Sequence, residues 1–99
     1  MIDFSATIND LKGNPLKQDG EDVTLRDTCT NALLAAFQGE QQDGKTKMSR
    51  WKLAQRIHDA KEPIELTAGD VTLLKEVVSK AYSAAVVGPA WTLLDPAEK

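Results

Sequence analysis

The chain has 99 residues, of which 41% are hydrophobic and 27% are charged, and its formal net charge is −3 at neutral pH. This length fits one domain that buries roughly two thirds of the surface of its unfolded chain, and the composition excludes the low hydrophobicity and high charge of disordered proteins. The acidic balance argues against a general nucleic-acid coat, because such proteins offset phosphate repulsion with a basic surface.

Residues 1–23 are predicted to form an extended arm. Their apolar members alternate with polar ones, at the period of a half-buried strand. These are Ile2, Phe4, Ala6 and Ile8. Glycine, asparagine, proline and aspartate at residues 13–15 and 19–20 are typical of turns. We therefore expect a small N-terminal β-hairpin or meander.

A first helix is predicted to begin at Thr24. Its side chain can accept a hydrogen bond from the amide of Asp27, whose carboxylate can reach back and also favours the positive end of the helix. Apolar residues then recur at helical spacing, and Gly39 follows as a natural C-cap. They are Leu25, Cys29, Ala32, Leu33 and Ala36.

A second helix is predicted over residues 45–60, after a polar loop at 39–44 and before Pro63, which forbids its continuation. A broad apolar side is expected from Met48, Trp51, Leu53, Ala54 and Ile57. On the opposite side Lys45, Lys52 and Arg56 cluster.

A third helix is predicted to begin at Thr67, with Asp70 three residues later and with Leu66 and Val71 at the spacing of a hydrophobic staple. Its apolar residues cover about half of the helical wheel, which favours packing against more than one neighbour. They are Val71, Leu73, Leu74, Val77, Val78, Ala81 and Tyr82. The short strand-like segments ending at Val23 and Leu66 could pair across the fold as a minimal sheet.

A short fourth helix is expected to start with Gly88 as N-cap and Pro89 as its first residue, and to stop at Pro96. The whole chain is therefore predicted to be a single, mainly α domain over residues 1–99. It has three or four helices, an extended arm at 1–23, a helical body at 24–95 and a tail at 96–99.

Metal and cofactor sites are not predicted. Cys29 and His58 are the only cysteine and histidine, so no intrachain disulfide can form and a structural zinc site lacks ligands. Calcium loops need oxygen ligands around a central glycine, but Gly20 or Gly44 at that position would put Pro15 or a glycine first. No glycine-rich phosphate loop is present.

Catalysis is likewise not expected, because Cys29 falls on the inward face of its helix and His58 borders the apolar side of the next one. A buried structural cysteine is the simpler interpretation. The start of the chain carries no export signal, and no stretch approaches the ~18 apolar residues of a membrane span. We therefore expect a soluble cytoplasmic protein that is not an enzyme and has no membrane contact.

Charge is distributed unevenly along the chain. Residues 45–61 carry six cations against one carboxylate, a net charge of +5, which leaves −8 for the remainder of the −3 total. The face formed by Lys45, Lys52 and Arg56 could meet phosphates or an acidic protein surface, although a solvated face is the default interpretation.

A second candidate surface is apolar. Its residues exceed what so small a core needs, which points to self-association or docking, with completion of the core as the alternative. They are Leu34, Ala84, Ala85, Val86, Val87 and Trp91.

Three segments together resemble small proteins encoded by tailed bacteriophages and prophages: the turn at Leu11–Leu16, the helix start at Val23–Asp27 and the run Ile64–Trp91. This likeness spans most of the chain and carries over no functional residue. It implies a bacterial cytoplasm during phage growth and a role in virion assembly or in handling a host factor.

The leading prediction is a non-enzymatic interaction protein, a phage assembly or accessory factor, that binds a phage or host protein through Val87 and Trp91 and is steered by its basic helix. A homo-oligomer is also open. The alternative is a small nucleic-acid-binding regulator that uses Lys45, Lys52 and Arg56. An enzyme or an enzyme inhibitor is the third hypothesis.

Overall fold

The computed structural model describes residues 2–35 and 43–94. In these ranges the elements follow the order β1 (Lys17–Gln18), β2 (Glu21–Asp22), α1 (Leu25–Leu34), α2 (Gly44–Asp59), α3 (Ala68–Ala81) and α4 (Ala84–Leu94). The predicted fold class, mainly helical with a small N-terminal hairpin, is confirmed. Among the described helices none is long and apolar enough to span a membrane.

The β1–β2 hairpin turns at Asp19 and Gly20, as the sequence predicts. Both residues have positive φ, 53° and 83°, which is the backbone of the tight turn that matches strand twist. Lys17 then lies opposite Asp22, and their side chains form an ion pair.

The N-terminal arm is held by single backbone pairings. The Ile8 amide donates to the Val23 carbonyl, and the Leu16 amide donates to the Ile8 carbonyl, both at 2.8 Å. Ile2 exchanges two hydrogen bonds with Ile64, at 2.8 and 3.0 Å. Ile2, Phe4 and Ile8 are buried, so the alternating pattern places one face of the arm inward, as predicted.

The minimal sheet envisaged between the segments at Val23 and Leu66 does not form. The amide of Val23 donates to the carbonyl of Leu16 at 2.8 Å, and the carbonyl of Val23 accepts the amide of Ile8. In the other segment, both backbone groups of Ile64 are bonded to Ile2. The arm therefore occupies the backbone groups of Val23 and Ile64 that a sheet between the two segments would have used.

Two predicted helix starts are confirmed. The hydroxyl of Thr24 accepts from the Asp27 amide at 3.2 Å, and that of Thr67 accepts from the Asp70 amide at 3.0 Å. α2 also has a cap, which the sequence analysis did not identify: the carboxylate of Asp43 accepts from an amide in the first turn at 2.8 Å. This bond lowers the pKa of Asp43.

α1 is the central helix, since it contacts α2, α3 and α4. Its Arg26 reaches the far end of α2, where its guanidinium donates to the carbonyls of Ile57 and Ala60. A cation suits that position because the last carbonyls of a helix lack intrahelical donors and carry partial negative charge. The predicted C-cap at Gly39 is wrong, because α1 ends at Leu34 and Ala35 is its C-cap, with an extended backbone at φ −73° and ψ 146°. Ala36, Gly39 and the tail themselves lie outside the described residues.

The core lies where the arm meets the four helices. Its largest fully buried apolar side chains come from every one of these parts. They are Phe4, Ile8, Leu25, Ile57, Leu74, Val77, Val78 and Leu94.

α4 begins four residues before the predicted cap at Gly88. The carbonyl of Ser83 accepts the amides of Val86 and Val87 at 3.0 and 2.9 Å, which opens the helix there. Pro89 consequently lies inside α4. In a helix the carbonyl of Ala85 would accept the amide of the residue four positions later, which is Pro89, and proline has no amide hydrogen to donate. Ala85 is exposed, so water can satisfy this carbonyl and the helix continues.

Candidate interaction site

The residues predicted to bind a partner lie on two helices. Lys45, Lys52 and Arg56 are on α2, whereas Val87 and Trp91 are on α4. Both helices pack on α1, and the two make no extensive contact with each other. The predicted combination of an apolar patch with a basic helix therefore divides into two surfaces.

Arg56 has a role within the fold. Its Nη2 donates to the carbonyl of Glu65 at 3.3 Å, and its Nη1 lies 3.9 Å from the carboxylate of Asp70. These contacts join α2 to the start of α3. Lys45 and Lys52 are exposed, and no carboxylate of the described residues forms an ion pair with them.

The apolar side predicted for α2 is wrong at two positions. Met48 and Trp51 are 51% and 48% exposed. The buried positions are instead Arg50, Leu53, Ala54 and Ile57, which form a narrow stripe against α1. Successive residues of a helix are rotated by about 100° around its axis, which puts Met48 and Trp51 more than 90° from the centre of that stripe. Contact with α1 alone therefore leaves them exposed, and a second neighbouring helix would be needed to bury them.

Met48 and Trp51 thus lie among cations. Together with Lys45, Lys47 and Lys52, all exposed, they make up what we call the α2 outer surface. It combines an accessible indole with three ammonium groups on one helix. His58, predicted to border a buried apolar side, is exposed.

Val87 and Trp91 attach α4 to the rest of the molecule. Val87 is half-buried against the core. Trp91 is 39% exposed, its Nε1 donates to the carbonyl of Lys75 at 3.2 Å, and the Lys75 ammonium lies 5.5 Å from the centre of its ring. Trp91 thus serves the contact between α3 and α4, and Val87 helps to attach α4 to the core.

A groove runs along the opposite, exposed face of α4. It has a volume of about 990 Å³ and lies between that face and the turn of the N-terminal arm. The residues of α4 that line it are small or short: Ala84, Ala85, Gly88, Pro89 and Thr92. Across it lie residues 9–12, among which Leu11 is fully exposed. We call this feature the α4 groove.

The turn that carries Leu11 is well braced. One carboxylate oxygen of Asp10 accepts the amides of Lys12 and Asn14 at 2.9 and 3.0 Å. The backbone of Asp10 also bonds to Asn14 and Gly13, and Gly13 adopts the positive φ of 86° that favours glycine. The leucine is therefore held in solvent by a structured turn.

The turn is predicted from the sequence, whereas the role of its leucine as a candidate binding residue is not. Leu11 stands between two charged residues, a context that gives no sign of an exposed apolar surface. Ala84 and Ala85 belong to the apolar surface predicted from the sequence, in which they accompany Val87. Only the packing of the arm beside α4 brings Leu11 and these alanines to one groove.

The lone thiol and the lone imidazole do not form a reactive pair. Cys29 is fully buried, as predicted, and this burial raises its pKa to about 12. His58 is exposed on another helix. A thiol that stays protonated at neutral pH is a poor nucleophile. Within the described residues no three histidine, cysteine, aspartate or glutamate side chains are grouped to hold a metal ion.

No protein-family model, curated protein or solved structure matches this chain. The candidate sites therefore rest on their geometry alone.

Proposed function

We propose that this chain is a non-enzymatic interaction domain that binds another protein in the α4 groove. The observation that carries the proposal is a fully exposed leucine held at the rim of a groove lined by small residues. Exposed apolar surfaces of this kind are typical of protein-binding sites, because covering them removes apolar area from water.

A backbone group of the helix that lines the groove adds a polar feature. Pro89 deprives the Ala85 carbonyl of its helical donor, and Ala85 lines the groove. A partner that brings an N–H or O–H group can bond to this carbonyl while its apolar atoms cover Leu11. Such an acceptor within an apolar surface favours one orientation of the partner.

The biological setting is proposed from the resemblance to proteins of tailed phages. We place the chain in the cytoplasm of a bacterial host, where it would act as an assembly or accessory factor on a phage or host protein. Its small size and the shaped surface of the α4 groove suit such a role.

The test replaces the groove by charge. Leu11→Asp and Ala85→Arg alter exposed positions, so both variants should fold like the wild type. In affinity capture from host lysate with quantitative mass spectrometry, partners of the wild type should fall at least about tenfold on either variant. Ala81→Arg, on an exposed site of α3 outside the groove, is the matched control. Retention of every partner by both variants would contradict the proposal.

The α2 outer surface supports a second candidate function, binding of single-stranded nucleic acid. Aromatic side chains stack on unpaired bases, while lysines contact phosphates without reading sequence. Trp51 is half-exposed between Lys47 and Lys52 and offers both contacts on one helix face.

This candidate is tested by fluorescence in a Trp91→Phe background, where Trp51 is the single indole. An oligonucleotide should quench it at low salt, and the affinity should fall steeply as salt rises. Lys52→Ala should weaken binding, whereas Lys12→Ala, an exposed lysine on the N-terminal turn, should not. Absence of quenching at low salt would exclude this function.

A further inference from the structure

The α4 groove combines a protruding side chain with a hole beside it, and we propose that its partner is a second copy of this chain. This inference rests on the proposed function and names the partner. In a two-fold symmetric dimer the same patch of both copies meets, so the patch must contain both complementary shapes. Here Leu11 is the protrusion and the face of α4 is the hole.

The protrusion is preorganised. Leu11 is fully exposed, and its turn is closed by the bonds from Asp10 to Lys12 and Asn14. The backbone that carries the leucine need not be ordered when a second copy arrives, which lowers the entropic cost of association.

The hole has room for it. A side-chain carbon placed on Gly88 would meet no atom within 4 Å, and the neighbouring Ala84 and Ala85 extend only a methyl group. The volume of about 990 Å³ exceeds that of one leucine side chain, so the tip of the second turn can enter with it. Each copy would insert Leu11 across the exposed face of the other copy's α4.

Charge supports the same arrangement. Leu11 stands between Asp10 and Lys12, which carry opposite charges. When two such turns meet about a two-fold axis near Leu11, the carboxylate of one copy lies toward the ammonium of the other. The contact is therefore electrostatically self-complementary, although the whole chain has a net charge of −3.

The surface involved is small. Nine residues line the groove, fewer than the 20 to 30 or so that each side of a standard interface contributes. We therefore expect a reversible dimer with a dissociation constant on the order of 100 µM.

Sedimentation equilibrium of the full chain from about 10 µM to about 1 mM tests this inference. The wild type should show a monomer–dimer equilibrium. Leu11→Asp and Gly88→Gln should each weaken it at least about tenfold. Gly88→Gln fills the hole and also raises helix propensity, so a failure to fold does not complicate the result. Gly69→Gln, the same change at an exposed position of α3, should dimerise like the wild type.

Thiol cross-linking tests the geometry. Cys29 is buried, so Leu11→Cys introduces an accessible thiol against a silent background. Under mild oxidation this variant should form covalent dimers faster than Thr72→Cys, an exposed site on α3. Equal rates would overturn the proposed contact.

The outcomes separate the two proposals. If the wild type is monomeric over the whole concentration range, the inference that the partner is a second copy is wrong. The lysate capture still decides whether the groove binds another protein. A dimer that Leu11→Asp and Gly88→Gln leave unchanged overturns the groove as the dimer contact. If the captured partners are also unchanged, the proposed function fails too.

Discussion

α3 and α4 are neighbours in the chain but differ in how they are held. α3 begins at the Thr67 cap and buries Leu74, Val77 and Val78 completely. α4 has Pro89 in its interior and leaves one face open to solvent along the groove. The difference indicates that local chemistry and core packing define α3, whereas docking onto α3 and α1 defines α4 and leaves a surface for binding.

The two helices are joined mainly by apolar packing and by Trp91, which bonds to the carbonyl of Lys75 and lies under its ammonium. α4 is thus positioned from its inner side alone. Changes on its outer side should alter association and leave the free energy of unfolding nearly unchanged.

The largest effect is expected in the core of α3. Leu74→Ala should lower the free energy of unfolding by about 2–5 kcal/mol, through lost burial and the cavity that remains. The same change at the exposed Leu11 should cost less than about 0.5 kcal/mol. Chemical denaturation measures both. Similar losses at the two sites would show that the turn with Leu11 is packed and not free to bind.

The core beneath α3 should also respond to pH. Burial raises the pKa of Cys29 on α1 to about 12, so above pH 9 the unfolded chain loses a proton that the folded chain keeps. Stability is therefore fully present below pH 9 and should fall by about 1 kcal/mol per pH unit up to about pH 11. Cys29→Ala should lack this component. Equal slopes for the variant and the wild type in denaturation at pH 8 to 11 would contradict it.

Pro89 is expected to destabilise α4. Pro89→Ala supplies the amide that the Ala85 carbonyl lacks and should raise the free energy of unfolding by about 1–2 kcal/mol. Pro63→Ala, between helices, should instead lower it slightly, because a loop proline restricts the unfolded chain. A loss of stability on Pro89→Ala, measured by thermal unfolding, would mean that the proline ring itself is needed for docking onto α3.

The cap of α3 should have a smaller effect. Thr67→Ala removes the acceptor of the Asp70 amide and should cost about 1 kcal/mol. Thr72→Ala, at an exposed position inside the same helix, is the matched control and should change stability by less than about 0.5 kcal/mol. If denaturation finds the two variants equal, α3 is held by packing alone.

Much of the fold could be predicted from residue patterns. Thr24 and Thr67 predict the starts of their helices, because the threonine hydroxyl accepts the amide of the aspartate three residues later, which has no partner within the helix. The hairpin turn at Asp19 and Gly20 can also be predicted from the sequence, since both residue types tolerate positive φ. The burial of Cys29 follows from helical spacing.

The candidate sites could be predicted only in part. Lys45 and Lys52 are exposed, as the wheel of α2 suggests, but Trp51 was expected in the core. A wheel shows which residues share a face and not how wide a face the neighbouring helices cover. The α4 groove escaped prediction because it joins residues about 75 positions apart, and no spacing rule connects Leu11 with Ala85.

Local interactions, which reach only a few residues along the chain, allowed the order of the helices, their caps and the tight turn to be inferred from the order of the amino acids. The early start of α4, the outward placement of Trp51, the pairing of Ile2 with Ile64 and the groove beside Leu11 emerged only in the folded chain. Each depends on which distant segment arrives to pack, and on which backbone groups that segment has already satisfied.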